Sequence, residues 1–227
     1  TPSFSHDNSK YYKSTKSLSA AQKKRAKAIK DAVYKDLKCC GAATRALGRL
    51  QTAEAKELLD TVEIDILKGR IANSYFYLNR TEKAFETGSS AADRSGVKAP
   101  LGAWIAGLAA WRMQDYEAAV KYFEISAHSK QASGWIRSAS AFWTSRAYLR
   151  VRKPQKVNEW LKKAAAEPRT FYGLIARKAL GMDLSDLRWN VPDLNDDHIA
   201  AIGQTRAGFR SVLLMDVGQR IYAEQEL

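Results

Sequence analysis

Residues 141–181 read AFWTSRAYLRVRKPQKVNEWLKKAAAEPRTFYGLIARKALG. The first part of this stretch copies the sequence before it. Ala119 aligns with Val157, Phe123 with Leu161 and Ser126 with Ala164, every pair 38 residues apart. Gly107 and Ser145 match in the same register one helix earlier. Each unit therefore carries a small residue, a gap of about a dozen positions, and then a small-x3-large-x2-small pattern. Small residues let two antiparallel helices cross closely, and the large residue fills the space beside the crossing.

That arithmetic is tetratricopeptide-like, stretched from the usual period of about 34 by a longer turn. A weaker copy lies upstream, where Ala84, Gly88 and Ala91 precede Ala119, Phe123 and Ser126 by 35 residues, with Gly88 in place of the large side chain. One helix pair cannot bury its apolar face alone, so several must stack and present a long concave surface. The predicted fold is all-α, a superhelical stack of antiparallel helix pairs, or TPR-like α-solenoid.

A chain of 227 residues with 45% hydrophobic content can bury a sizeable core. It contains no apolar run of about 18 residues that could span a bilayer. Its first residues, TPSFSHDNSKYYKS, lack the apolar region of a signal peptide, so an exported form would already have lost its leader. The net charge of +13 is uneven. Residues 1–50 hold twelve Lys and Arg against three acids, and residues 135–170 hold nine against two. Such asymmetry marks either a solvated basic face or attraction to a polyanion: nucleic acid, anionic membrane or cell-wall polymer. The adjacent Cys39 and Cys40 cannot supply the spaced thiolates of a zinc site, and are expected to be small buried residues.

Along the chain, a helix is predicted from Ser17 or Ser19, with Leu18, Ala21, Ile29, Val33 and Leu37 on one face. A short helix over Ala42–Arg49 follows, then Ala53–Lys68 and Gly69–Leu78, broken near Gly69. Glu82–Asp93 stops at Ser95-Gly96. Leu101–Met113 pairs with Tyr116–Ala127, and Ser133–Val151 with Pro154–Ala166, Pro154 suiting a helix first turn. Thr170–Leu180 ends at Gly181. Beyond a loop bearing Trp189 and Pro192, helices are expected over His198–Gly203, Thr205–Gly218 and from Arg220 onward. The organisation expected is residues 1–98 as N-terminal helices of the superhelix, 99–181 as TPR-like pairs, and 182–227 as a helical linker.

No catalytic constellation is present. His6, His128 and His198 each stand alone in sequence, outside any HExxH or spaced Cys/His set. Asp193-x-Asn195-x-Asp197 resembles the start of a calcium loop, but His198 replaces the turn glycine and Gln204 the closing glutamate. An acidic loop capping the next helix is the expectation there. No phosphate-binding glycine loop or nucleophile elbow occurs, so neither cofactor nor metal is expected. Asn79-Arg80-Thr81 fits a glycosylation sequon, a pattern too short to carry weight alone.

A binding surface is suggested instead. The first helices of such pairs line the concave side, which places Trp104, Leu108, Trp111 and Arg112 there, followed by Phe142, Arg146, Leu149 and Arg150. Aromatic rings stack on sugars, bases or peptide groups, and arginine pairs with anions. The competing expectation is that Trp104, Trp111 and Phe142 simply pack between helices. Arg146 and Arg150 are harder to bury and are the better candidates.

Several pieces together resemble the helical region of soluble lytic murein transglycosylases. They are the small residues Ala139–Ala141, the pair Phe142-Trp143, the run Ala164–Ala166, then Thr170-Phe-Tyr-Gly-Leu-Ile-Ala176 and Leu180-Gly181. Upstream, Arg94-Ser-Gly96, Ala99-Pro100, Trp104 and Gly107-Leu-Ala-Ala-Trp-Arg112 are similar, as are Trp189-x2-Pro192-x-Leu194 and the small-residue helix over Gly203–Leu214. The likeness covers roughly Ala84–Leu227. It implies an exported, periplasmic protein acting on peptidoglycan. Family members cut the bond between N-acetylmuramic acid and N-acetylglucosamine, leaving a 1,6-anhydro product. They use a single glutamate in a lysozyme-like domain that follows the helical part; the sugar's own C6 hydroxyl is the nucleophile, unlike the two-carboxylate hydrolases.

The family's catalytic glutamate precedes a serine, and no Glu-Ser pair occurs in these residues, nor does the companion Gly-Leu-Met-Gln. No catalytic residue is carried over. The resemblance implies the superhelical and linker part of such an enzyme, with peptidoglycan strands and other cell-wall proteins as partners and a catalytic domain beyond Leu227. Two other readings stand beside it: a stand-alone TPR-like protein-interaction module, and an RNA-binding helical repeat, with nucleic acid the less expected partner.

Overall fold

A computed structural model describes residues 12–38, 42–184 and 195–226. Cys39, Cys40, Trp189, Pro192 and Asp193, named above, lie outside the described residues. The protein is all-α, without a β-strand among the described residues. Contacts divide it into two compact units, Thr1–Leu187 and Arg188–Leu227, so the helices on both sides of residue 98 share one unit.

The first unit begins with α1 (Ala20–Lys38), α2 (Ala43–Gln51) and α3 (Ala53–Leu58). Seven longer-range packing helices follow: α4 (Thr61–Tyr77), α5 (Thr81–Ser95), α6 (Pro100–Arg112), α7 (Tyr116–Ala127), α8 (Gly134–Arg150), α9 (Val157–Ala165) and α10 (Phe171–Ala179). From α4 to α10 each helix packs on the next in sequence, and α4, α6, α8 and α10 also contact one another in series.

Local chemistry sets the helix starts. Asp60 accepts from the Glu63 amide at 2.8 Å while Glu63 reaches back to the Asp60 amide at 3.0 Å, a reciprocal cap for α4. Asp115, Ser133 and Thr170 cap α7, α8 and α10 through the amides of Ala118, Ile136 and Gly173. Pro154 heads a single 3-10 turn, Pro154–Lys156, rather than the first turn of α9.

The stops share one design. Asn79, Gln114 and Arg152, at φ of 58°, 65° and 58°, follow α4, α6 and α8 at intervals of 35 and 38 residues. In each, the next amide bonds back to a carbonyl five residues earlier: Arg80 to Tyr75 at 2.9 Å, Asp115 to Ala110 at 3.0 Å and Lys153 to Tyr148 at 2.8 Å. This left-handed stop satisfies helix-end carbonyls and turns the chain into the following helix. The repeat spacing read from side chains is thus repeated by the backbone.

Gly69 does not break a helix, contrary to expectation; α4 runs straight through it. A Cβ at Gly69 would sit 2.7 Å from the Gly102 amide nitrogen, and one at Gly88 would sit 2.7 Å from the Gly102 carbonyl oxygen. The three glycines bring the backbones of α4, α5 and α6 into contact. The break instead falls at Leu59-Asp60, where the cap of α4 begins. In the next repeat the large filler is present: Phe123 is fully buried, and a Cβ on Gly107 would meet its ring at 2.4 Å. The weak upstream copy therefore exchanges a filled gap for a closed one.

Around α8 the interior is small and hydroxylated. Ser140 donates to Ser126 at 2.9 Å, Thr170 to Ser138 at 2.8 Å, and Thr144 to the Ser140 carbonyl at 2.8 Å. These bonds satisfy buried hydroxyls that would otherwise each cost about 1–3 kcal/mol.

At the N-terminal end, Asp36 of α1 is nearly inaccessible and accepts from Arg49 at 2.6 Å and Arg45 at 2.9 Å, both on α2. The hydrogen bond from Arg49, then that from Arg45, holds the Asp36 carboxyl below the ordinary aspartate value. A depressed carboxylate stabilises the fold above its unfolded pKa and loses that contribution as pH falls through the folded one. Asp36→Asn is expected to lower the melting temperature at neutral pH, and the gap from the parent protein should close as pH falls through the lowered pKa of Asp36 in the folded state. A gap that persists on acidification would show that Asp36 acts other than as an anion.

The second unit comprises α11 (Asp196–Gly203), α12 (Arg206–Asp216) and α13 (Arg220–Glu226). Asn195 caps α11 by accepting from the His198 amide at 3.0 Å. Ser211 donates to the Ala223 carbonyl at 2.9 Å, fastening α12 to α13.

Candidate functional site

The predicted binding residues lie on α6 and α8. Trp104, Trp111 and Phe142 are half-buried, whereas Arg112, Arg146 and Arg150 are exposed. The three aromatics belong to a connected series of rings. Trp104 lies 5.4 Å from Phe123, Phe123 6.4 Å from Trp143, and Trp143 5.1 Å from Trp111 and 6.4 Å from Phe142. Trp111 also meets Tyr116 edge-on at 5.1 Å, and Phe142 meets Tyr172 of α10 at 5.3 Å. Their main work is interhelical packing, with one edge left at the surface. Tilted and edge-on pairs of this kind add about 0.5–1.5 kcal/mol each beyond buried area.

The arginines divide into two kinds. Arg112 and Arg150 occupy equivalent repeat positions, 38 residues apart, and each lies on a ring of another helix. Arg112 sits 3.9 Å above Phe76 of α4 and donates to Asn79 Oδ1 at 3.1 Å. Arg150 sits 4.4 Å above Tyr116 of α7 and donates to its hydroxyl at 2.7 Å. Neither guanidinium has a carboxylate partner among the described residues, so both clamp neighbouring helices and remain able to attract an anion. Arg146, one turn before Arg150, is exposed and forms no hydrogen bond or ion pair among the described residues. The structure therefore brings Phe142, Arg146 and Arg150 along one face of α8 and joins Trp111 to Arg150 through Tyr116. Arg112 stands apart with Phe76.

Sequence reasoning missed the outer face of α10, where Phe171, Leu174 and Ile175 are exposed, as is Met182 just beyond it. The period of this helix is read easily, but its apolar residues are taken for core because nothing in the sequence marks this face as exposed. Trp135 at the start of α8 is also half exposed, at 48%.

The face can stack on rings or apolar groups and attract negative charge. It offers no pair of acid and base in contact. Among the described residues, no three His, Cys, Asp or Glu side chains cluster as a metal site. No helix among them is long and apolar enough to cross a membrane. No protein-family model matches the chain, and no curated protein is significantly similar to it.

Proposed function

We propose that this chain is a non-catalytic, TPR-like helical scaffold that holds peptidoglycan glycan strands in the periplasm for a lytic transglycosylase. The catalytic domain of the parent enzyme would cleave the bond between N-acetylmuramic acid and N-acetylglucosamine to a 1,6-anhydro product. The observation that carries the binding role is Arg146 of α8, an exposed cation without a hydrogen-bond or ion-pair partner among the described residues, placed between Phe142 and Arg150, the latter paired with Tyr116 of α7. A muramic acid carboxylate has a counter-ion there, and its ring has aromatic edges to lie against. The family attribution rests on the resemblance at Thr170–Gly181. Within that stretch Thr170 caps α10 and Gly173 leaves no room for a side chain, a Cβ there lying 2.0 Å from the Glu167 carbonyl oxygen.

Co-sedimentation with purified sacculi tests the reading. Arg146→Ala removes no hydrogen bond or ion pair among the described residues, so it should leave the melting temperature nearly unchanged while reducing retention about five- to tenfold, the scale of one charged contact. Arg146→Ala with Arg150→Ala should abolish it. Retention equal to that of a neutral control protein, or indifference to both substitutions, would refute the role. Preferential retention of RNA, lost steeply with salt, would transfer the face to nucleic acid.

A stand-alone protein-interaction module is the second reading, and the exposed apolar face of α10 favours it. Under that reading, Leu174→Asp should disrupt capture of a protein partner and leave sacculus binding intact.

A further inference from the structure

We propose that a groove between α2, α4 and α5, remote in sequence from the α8 face, is a binding site for a hydroxyl-bearing oxyanion: a sugar phosphate or sugar carboxylate. The groove is open to solvent on one side and offers about 840 Å³, a volume suited to a small ligand. Three helices turn one face into it: Thr44 and Gln51 from α2, Ile64, Lys68 and Tyr75 from α4, and Lys83, Thr87 and Ser90 from α5. Lys56 of α3 and Thr15 with Lys16 of the preceding segment complete the rim.

The charge in this groove is unbalanced because one of its two lining carboxylates, Asp60, is already engaged. Asp60 accepts from Tyr12 at 3.1 Å, Ser14 at 3.0 Å and the Thr15 amide at 3.0 Å, besides capping α4. Asp65, behind the wall, is held by Arg94 and Ser95. Lys16 is occupied by the Lys56 and Glu57 carbonyls. Lys56, Lys68 and Lys83 remain, and none forms an ion pair among the described residues; Glu86 is the one lining acid besides Asp60. Lys68 is half-buried and its ammonium donates to Ser90 Oγ at 2.9 Å. Burial, and then the charge of Arg94, pushes its pKa below the ordinary lysine value against the opposing pull of Asp65. An oxyanion bound beside Lys68 offsets that repulsion. The neighbouring hydroxyls of Thr44, Thr87 and Ser90 both donate and accept, which suits sugar hydroxyls rather than an apolar guest.

This inference does not depend on the glycan-scaffold reading. Calorimetric titration of the full chain with glucose 6-phosphate, glucuronate and glucose tests it. Either anion should bind and glucose should not; the tighter of the two anions names the oxyanion. Lys68→Gln should weaken binding about tenfold, and Glu86→Gln should tighten it a few-fold by removing a repelling charge. Because the two substitutions act in opposite directions on the same groove, general loss of folding cannot produce the pattern. Equal binding of glucose, no binding of either anion, or a Lys68→Gln variant with parent affinity each overturns the proposal.

Discussion

Arg94→Ala should destabilise the first unit by about 3–5 kcal/mol, the cost of leaving a buried charge without its partner. Asp65 is fully inaccessible on α4, and Arg94 of α5 holds it in a forked pair, with Nε at 2.9 Å from one oxygen and Nη2 on the other. Ser95 adds a third bond at 2.5 Å. The side chains are unequal, however, since that of Arg94 is 48% exposed and that of Asp65 is 0% exposed. Removal of the arginine strands a carboxylate in the interior with one hydroxyl for company. Removal of the carboxylate leaves a guanidinium that can swing into water. Asp65→Ala is therefore expected to cost less than Arg94→Ala, nearer about 2–3 kcal/mol. Urea denaturation followed by circular dichroism measures both. If Asp65→Ala proved the more damaging, the carboxylate would be doing something beyond pairing with Arg94.

The second large effect is expected at Phe123. Its ring is fully buried between α6, α7 and α8, against Trp104 and Trp143. Phe123→Ala should cost about 3–5 kcal/mol through lost burial and the cavity left behind. The geometry also predicts how this loss couples to Gly107. A methyl group on Gly107 would overlap the Phe123 ring at 2.4 Å, so Gly107→Ala alone should be destabilising, by about 1–3 kcal/mol. In the Phe123→Ala background the same methyl enters vacant space and gains helix propensity, and should be neutral or stabilising. A double-mutant cycle by thermal or urea denaturation reads the coupling directly. Additive effects would show that α6 and α7 do not meet through this pair.

How far the fold is legible in the sequence varies from element to element for physical reasons. Helix α7 covers Tyr116–Ala127 as the sequence pattern predicts, because the Asp115 cap found in the structure agrees with the core face. At Gly69 the reading failed because glycine has two uses, to end a helix or to let another backbone approach. Only the position of Gly102 distinguishes them. The turns after α6 and α8 were invisible for the opposite reason. Gln114 and Arg152 adopt the left-handed conformation that glycine or asparagine would advertise.

At the candidate site, the arginines were found by repeat projection, but Phe76 and Tyr116 were not. Those rings come from other helices, and only packing brings them under Arg112 and Arg150. The groove between α2, α4 and α5 left still less trace. Lys68 and Lys83 are ordinary surface lysines by pattern, and their shortage of carboxylate partners exists only once Asp60 and Asp65 have been claimed by others.

The left-handed stops after α4, α6 and α8 also bear on how such a chain could lengthen. Each stop is exposed and closes its helix with backbone hydrogen bonds drawn from within its own turn, to which Arg112 of α6 adds one bond at the Asn79 side chain. A segment copied from one stop to the next would arrive with both of its ends already closed. The 35- and 38-residue intervals show the tolerance of this joint: three extra residues are taken up between one stop and the next while the stop itself stays the same. The natural unit of duplication runs from bend to bend rather than from helix start to helix start.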